Sequence, residues 1–416
     1  ALYRKRVAAL NRALSTTEVL MSAHRYAEIE WGRVASLSMN RHRKAFLNER
    51  VRGTFNVHYE LTGNRFPDDE DRVAARASLR KTLQSKGKNL KGAALQPHEI
   101  VAKLVSVESG RVSTLEEDVF DAQWKTLRAS VQGNLAKAAA AHAAATGESA
   151  ARKPVVNLGK LVPLVDVSGS MSGVPMHVAI ALGILTSELA APAFAHRFIT
   201  FESCPTWVRL DPEAGISQKA VAARRAPWGG STNFAAALEL ILDAAVEAKL
   251  KPDDIPDLIV FSDMQFDDAN SNDASWETHY EILQRRFALA GERICGEPYP
   301  APRIIFWNLR GGTRGMPAQA SSSNVQMLAG FSPALLKLVL TGADIVGDEV
   351  VQTMRDGTTK VVREGPTPYE TLRRAVDDEA FDPVRAAVAR TAEGPFASYD
   401  FAAAPGAEVE DGFIAL

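Results

Sequence analysis

Cysteine is scarce, with only Cys204 and Cys295 in 416 residues. Two thiols cannot build a disulfide framework, so the small bridge-stapled secreted folds are excluded and reduced thiols in an intracellular, cytoplasmic setting are expected. Long hydrophobic runs are missing too: no stretch approaches roughly 18 uninterrupted apolar residues, which argues against a spanning helix and a membrane partner. The start, Ala-Leu-Tyr-Arg-Lys-Arg, does not have the pattern expected of a signal peptide. It also lacks an initiator Met, as expected of a trimmed sequence or a part of a longer protein.

Catalytic signatures are equally thin. There is no G-x-x-x-x-G-K-[ST] loop and no G-x-G-x-x-G opening a helix. GSMSG puts Met171 where a nucleophile elbow needs serine, and Ser170 has no His and Asp partners in order. Gly311-Gly312-Thr313-Arg314-Gly315 follows a strand but has neither the lysine nor the helix of a phosphate loop. A non-enzyme is therefore expected. A metal-dependent hydrolase, using Asp267 and Asp268 near Asp263, is the lesser alternative to a solvated acidic loop.

Composition is that of an ordinary globular protein, 46% hydrophobic and 24% charged, and the length suits two or three domains. The net charge of -2 hides an asymmetry. Residues 1–104 carry roughly twice as many Lys and Arg as Asp and Glu, about ten positive charges in excess. NRHRKAFLNERVR (40–52) and LRKTLQSKGKNLKG (79–92) supply most of it, the second reading as a mobile basic loop. If these groups meet phosphates they give affinity without base selectivity, and Arg41, Arg43, Lys44, Arg50, Arg52, Lys86, Lys88 and Lys91 are the candidate contacts. On one helix Arg43 and Arg50 share a face, with Phe46 and Leu47 turned inward. No RNP motif or zinc knuckle names RNA directly, and a merely solvated helical surface competes with that reading.

Residues 1–150 show little strand alternation. Val7, Leu10 and Leu14 follow helical spacing, and Ser15 with Glu18 resembles a capping box. Helices are expected over 38–52, 69–85, 97–108 and 114–131, stacked in a HEAT-like or irregular way without a clean repeat. NLAKAAAAHAAATGESAAR (134–152) reads as an exposed helix running into a linker. Beyond it, LGKLVPLVDV, FAHRFITF, DLIVFSDM, PRIIFWNL and VQMLAGF are apolar on both faces and are mostly separated by helix-length segments. That pattern predicts a doubly wound, mostly parallel sheet with TWVRL as one antiparallel edge. EVVQTM and TKVVRE flank Asp356-Gly357 as a hairpin insertion, residues 366–391 read as helices, and the tail reads as disordered. The division is 1–133 helical, 134–152 Ala-rich helix and linker, 153–341 α/β, 342–398 hairpin and helices, and 399–416 tail.

In an open α/β sheet, ligands bind at the carboxyl ends of the strands, where strand order reverses. LVDVSGSM ends an apolar run at Asp166, with Ser168 and Ser170 behind it. DLIVFSD ends at Asp263, and PWGGSTNF (227–234) presents Thr232 just before a helix. Two carboxylates and three neutral hydroxyls form an all-oxygen set suited to a hard dication, Mg²⁺ or else Mn²⁺ or Ca²⁺. If the carboxylates act mainly through water, the ion stays electrophilic and keeps a position for an outside carboxylate or phosphate. The competing account makes the hydroxyls helix caps with no metal. Trp228 belongs either to the ligand surface or to loop packing, and Trp307 to the core. His177 stands in the first turn after the serine loop, where it can approach a bound anion or simply be packed or solvated. His98 falls in a helix's first turn without metal-type pairing.

DVSGSM, GGST and FSDM, in that order, resemble the metal-ion-dependent adhesion site of von Willebrand factor A domains over roughly residues 155–340. The resemblance implies Ser168, Ser170 and Thr232 as direct ligands, with Asp166 and Asp263 in the surrounding shell. YRKRVAALNRAL, HRKAFLNE, LQPHEIV, WGGSTNF, FSDMQFDDA, IIFWNLR and FDPVRAAV resemble the DUF2828 family over nearly the whole chain. That family is similar in layout to the Ro 60 kDa autoantigen, a helical RNA-binding module joined to an A domain. The layout implies a binding protein whose A domain offers a metal to an acidic protein partner or a phosphate ligand, and whose basic helices bind RNA. The alternative is a metal-dependent protein–protein adaptor without nucleic acid.

Overall fold

The computed structural model describes residues 2–51, 61–85, 90–105, 113–146, 158–201, 204–226, 234–264, 276–310, 325–336, 349–353 and 359–363. The first half is helical: α1 (Leu2–Ala13), α2 (Thr17–Ser22), α3 (Ser36–Leu47), α4 (Glu70–Gln84), α5 (Pro97–Val105) and α6 (Thr114–Thr146). A short antiparallel pair, β1 (Glu49–Val51) and β2 (Leu61–Asn64), interrupts it. The helix expected over 38–52 therefore stops at Leu47. Asn48 takes the left-handed conformation (φ 44°, ψ 39°) that asparagine tolerates at a helix end. Its side chain is then fixed by accepting from the Phe66 N–H at 3.0 Å. Arg50 accordingly lies in β1, not on a shared helical face with Arg43. The capping box is not formed either: Thr16 precedes α2 without a side-chain cap, and Glu18 instead accepts from the Ser38 hydroxyl at 2.6 Å.

The Ala-rich segment continues α6 without a break as far as Thr146, so the division expected at 133/134 falls inside one helix. Trp31, Met39, Phe46, Leu79, Leu115 and Val119 close a local core between α3, α4 and the start of α6.

The second half runs β3 (Leu161–Val165), α7 (Val174–Leu189), β4 (Arg197–Thr200), β5 (Trp207–Arg209), α8 (Ile216–Arg225), α9 (Phe234–Glu247), β6 (Asp257–Ser262), α10 (Trp276–Cys295), β7 (Ile304–Asn308) and β8 (Val325–Ala329). These strands form one sheet in the order β5-β4-β3-β6-β7-β8. All neighbours are parallel except the edge strand β5, which pairs antiparallel with β4. The central strands are runs apolar on both faces because both of their faces are covered. Leu161, Val165, Ile259, Phe261, Ile305 and Trp307 face α7 and α8. Val162, Leu164, Leu258, Val260, Ile304 and Phe306 alternate with them and face α9 and α10. A separate antiparallel pair, β9 (Glu349–Thr353) with β10 (Thr359–Arg363), forms where the hairpin was expected. Its turn, the helices expected over 366–391 and the tail lie outside the described residues.

The helical half is built into the same core. Every residue of α7 from Val178 to Ser187 is buried, so the helix is enclosed on all sides. Ile100, Val101 and Leu104 of α5 and Trp124 and Leu127 of α6 belong to its cluster. Burying each such side chain stabilises by roughly 1.5–3 kcal/mol. On its other side α7 approaches β3 closely at Gly183, where a Cβ would stand 2.4 Å from Val165 Cγ2.

A polar knot seals the same seam. Glu188, near the end of α7, accepts from Lys219 Nζ of α8 at 2.6 Å and from Trp124 Nε1 of α6 at 2.9 Å. Asp121 of α6 accepts from the Ile216 N–H at 2.7 Å and Glu117 from the Ser217 hydroxyl at 2.9 Å, so α6 carboxylates cap the start of α8. Burial raises the Asp121 carboxyl above its ordinary range, and those backbone bonds oppose the rise. Among the described residues no helix is long and apolar enough to cross a membrane.

Candidate metal centre

β3 and β6 are central neighbours in parallel register, Val165 opposite Phe261. From β3 the chain turns to β4 on one side, and from β6 to β7 on the other, so their carboxyl ends border the crevice at which strand order reverses. Asp166 and Asp263 are the first residues beyond these strand ends. Register alone brings them to one rim. The Asp166 N–H continues the ladder to the Phe261 carbonyl at 3.0 Å.

Asp166 is fully enclosed, 0% exposed, and Asp263 is 3% exposed. One Asp166 oxygen accepts from the Ser168 N–H at 2.9 Å, and the other from the Ser262 hydroxyl at 2.5 Å. Burial holds the Asp166 carboxyl above the ordinary carboxylate range; the Ser262 and Ser168 bonds pull it down, and the Asp263 charge pushes it further up. Ser168 and Ser170 hydroxyls lie 3.0 Å apart, brought to one side by a single 3-10 turn, Gly169–Met171. Met171, fully buried, anchors that turn in the core. Gly173 follows at φ 95°, a conformation open to glycine, and lets the chain swing into α7.

Two residues that the sequence reading did not single out complete the arrangement. Ser262, last in β6, serves both strand ends: its hydroxyl donates to Asp166 and accepts from the Met264 N–H at 3.1 Å. A serine in an otherwise apolar buried strand needs a partner, and that was its signal. Arg310, just past β7, donates from Nη1 to the Ser170 carbonyl at 2.5 Å and approaches Asp263 Oδ2 at 3.4 Å. Its own N–H is held by the Asn308 side chain at 2.8 Å.

The structure thus brings together Asp166, Ser168, Ser170 and Asp263. Thr232 and Trp228 lie in 227–233, and Asp267 and Asp268 in 265–275, all outside the described residues. No group of three or more His, Cys, Asp or Glu suited to a metal occurs among the described residues. The donors here are carboxylate and hydroxyl oxygens, the hard set that suits Mg²⁺, Mn²⁺ or Ca²⁺ and not a softer ion. Two buried carboxylates that repel each other gain from a dication between them, so the residues present fit one.

Nearby, His98 of α5 meets the Phe331 ring edge-on at 5.8 Å, and burial lowers the pKa of both His98 and His177.

Of the basic residues expected to meet phosphate, Arg41, Lys44 and Lys91 are exposed. Arg43 is not available. It is buried, donates to Glu116 at 2.5 Å and to Asn40 at 2.9 Å, and lies 4.4 Å over the Phe120 ring, because α3 turns that residue toward α6. The side chain of Arg50, and Arg52, Lys86 and Lys88 entirely, lie outside the described residues.

A family model described as "Domain of unknown function (DUF7788)" matches residues 161–376, and one described as "Domain of unknown function (DUF2828)" matches residues 1–55. The DUF2828 likeness, expected over nearly the whole chain, is thus matched at its start, and the sheet half matches the other family. The chain is 32% identical over 349 residues to "Uncharacterized protein L728" of Acanthamoeba polyphaga mimivirus. That alignment covers 82% of this chain and 52% of the relative, so the chain spans little more than half of that relative's length. Among solved structures it is similar to "Crystal structure of Deinococcus radiodurans RO (RSR) protein", with TM-score 0.38 and 15% identity over 65% of this chain and 48% of that one. A likeness that slight carries no argument about fold or function.

Proposed function

The chain belongs to the family described as Domain of unknown function (DUF7788), and on that premise we propose that it is a non-catalytic binding protein built around a divalent cation. In this reading the sheet half is of von Willebrand A type, and the helices before it form an irregular, HEAT-like module. Ser168, Ser170 and Thr232 bind the ion directly, and Asp166 and Asp263 hold it through water. The ion is Mg²⁺, with Mn²⁺ or Ca²⁺ able to replace it. It supplies an electrophilic position for an acidic protein partner's carboxylate or for a phosphate ligand. Asp166 and Asp263 keep the site anionic, Ser262 orients Asp166, and the Ser168–Ser170 turn faces both hydroxyls one way.

One observation carries the reading. A fully enclosed Asp166 with both oxygens hydrogen-bonded stands beside a second buried carboxylate at the strand-order switch, next to two converging hydroxyls. Burying two like charges side by side is costly, and a cation between them would relieve that cost, which supports the reading. Differential scanning fluorimetry tests it. Mg²⁺ should raise the melting temperature of the wild type and leave Asp166→Ala unmoved. At a hundredfold excess over Kd, the gain corresponds to about 2.7 kcal/mol. A wild type that ignores both Mg²⁺ and Mn²⁺ refutes the site.

The exposed Arg41, Lys44 and Lys91, with the rest of the basic excess, support RNA as the partner of the helical half. The burial of Arg43 thins that surface and favours a second reading, a metal-dependent protein–protein adaptor without nucleic acid. Filter binding to structured and single-stranded RNA across a salt series separates the two. RNA binding predicts a steep loss of affinity with salt, and no binding at low salt leaves the adaptor.

A further inference from the structure

We propose that Arg310 is a second anion-binding arm of the metal site, so that the ligand is an anionic group gripped at two oxygens, one by the ion and one by this guanidinium. The inference rests on the metal reading above and adds to it a residue and a ligand chemistry.

The argument starts from how Arg310 is held. Its backbone N–H is bound by the Asn308 side chain at the end of β7, immediately beside β6 in the sheet. Its Nη1 donates to the carbonyl of Ser170 at 2.5 Å. That bond fixes the guanidinium against the turn whose hydroxyls face the ion. The approach to Asp263 Oδ2, 3.4 Å, is long for a hydrogen bond and acts through charge. The Asp263 carboxylate is 0% exposed, whereas the Arg310 side chain is 53% exposed. The cation therefore sits at the mouth of the site and not inside it. A guanidinium presents five donors in a planar fork, and Arg310 engages Ser170 and Asp263 through Nη1.

Charge gives the second step. Two carboxylates, Asp166 and Asp263, balance one dication. Among the described residues, Arg310 then leaves the rim one positive charge in excess, which suits a monoanionic carboxylate or phosphate group. Both groups present two oxygens at a spacing that spans neighbouring cations, and arginine prefers such bidentate partners to single-point ones. A neutral ligand gains nothing from this arm.

The test is calorimetric titration of the full chain at saturating Mg²⁺ with inorganic phosphate in one arm and acetate in the other, on wild type, Arg310→Gln and Arg310→Lys. The Mg²⁺-induced melting shift is measured on each. Gln should weaken the bound anion about tenfold or more, with Lys between Gln and wild type, because the charge is kept and the fork is lost. The Mg²⁺ shift should persist in both variants. The arm with the tighter wild-type binding identifies the source of the anion. Anion affinity within twofold of wild type in Arg310→Gln overturns the inference, as does the absence of wild-type binding in both arms. Loss of the Mg²⁺ shift in Arg310→Gln also overturns it, by making Arg310 a support of the turn. A wild type without any Mg²⁺ shift brings down the metal reading itself, and this inference with it.

Discussion

Replacing Glu188 by Ala asks whether the helical half and the sheet form one body. The Glu188 side chain is 1% exposed and that of Lys219 is 4% exposed, and they meet at 2.6 Å. Trp124 Nε1 shares the same carboxylate at 2.9 Å, and Arg128 Nη1 reaches it at 3.5 Å. The group spans three helices: Glu188 on α7, Lys219 on α8, and Trp124 with Arg128 on α6. Truncation leaves a buried ammonium without its counter-charge, and breaking such a pair costs about 3–5 kcal/mol. Total stability is on the order of 5–15 kcal/mol, so the loss takes a large share of it. Urea unfolding followed by far-ultraviolet circular dichroism and tryptophan fluorescence measures it, and Trp124 itself reports the seam. The pair Glu188→Leu with Lys219→Met removes both charges while keeping volume, and such exchanges are often neutral or stabilising by about 1–4 kcal/mol. The double variant should therefore recover most of the loss. A single variant costing less than about 1 kcal/mol, or a double variant as weak as the single one, refutes the view that this carboxylate serves as counter-ion across one continuous core.

Three further outcomes follow from local geometry. Ser262→Ala should lose about 1.5–3 kcal/mol, the usual worth of a hydrogen bond to a charged group, in urea titrations without divalent ions; a loss under half of that denies Ser262 its role in holding Asp166. Gly183→Ala should cost about 1–3 kcal/mol by overpacking against Val165 Cγ2, and adding Val165→Ala should return part of it; strictly additive losses in that cycle would sink the contact. His98 and His177 have folded-state pKa values lowered by burial, so the unfolded chain binds more protons near neutrality. Their contribution to stability is complete above the unfolded value of about 6.5 and is lost as pH falls through the lower folded values. Melting temperature should drop on going from pH 7 to pH 5.5, and His98→Gln should flatten that slope; an unchanged slope contradicts the assignment to His98.

What the sequence revealed divides along physical lines. The central strands β3, β4, β6 and β7 were legible because burial on both faces leaves an apolar run that turns cannot imitate, and the antiparallel edge β5 because only a few residues separate it from β4. The strand-end carboxylates were legible because a charge closing such a run has nowhere to go but the rim. The end of α3 was not, since the Asn48 turn is fixed by Phe66, 18 residues away. Nor was the burial of Arg43, whose partner Glu116 is 73 residues distant. Ser262 and Arg310 were missed for a related reason: their roles come from strand register, which sets Ser262 beside Asp166 and Arg310 beside the serine turn.

The most consequential unread signal lay in α7. VPMHVAIALGILTSEL is apolar all round, and a helix covering one face of a sheet needs only one apolar stripe. Its second apolar side required a further layer, and α5 and α6 are that layer. The consequence reaches the proposed metal site. α7 begins directly after the turn that carries Ser168 and Ser170, and α5 packs along it. α8, whose start is capped by Asp121 and Glu117 of α6, ends at Arg225, just before the segment that holds Thr232. The serine turn and the segment that holds Thr232 thus each adjoin, in sequence, a helix braced by the first half. The exposed basic residues of those first helices and the proposed ligand position at the sheet rim therefore belong to one packed body, and a perturbation of the seam at Glu188 acts on the helices that lead to both.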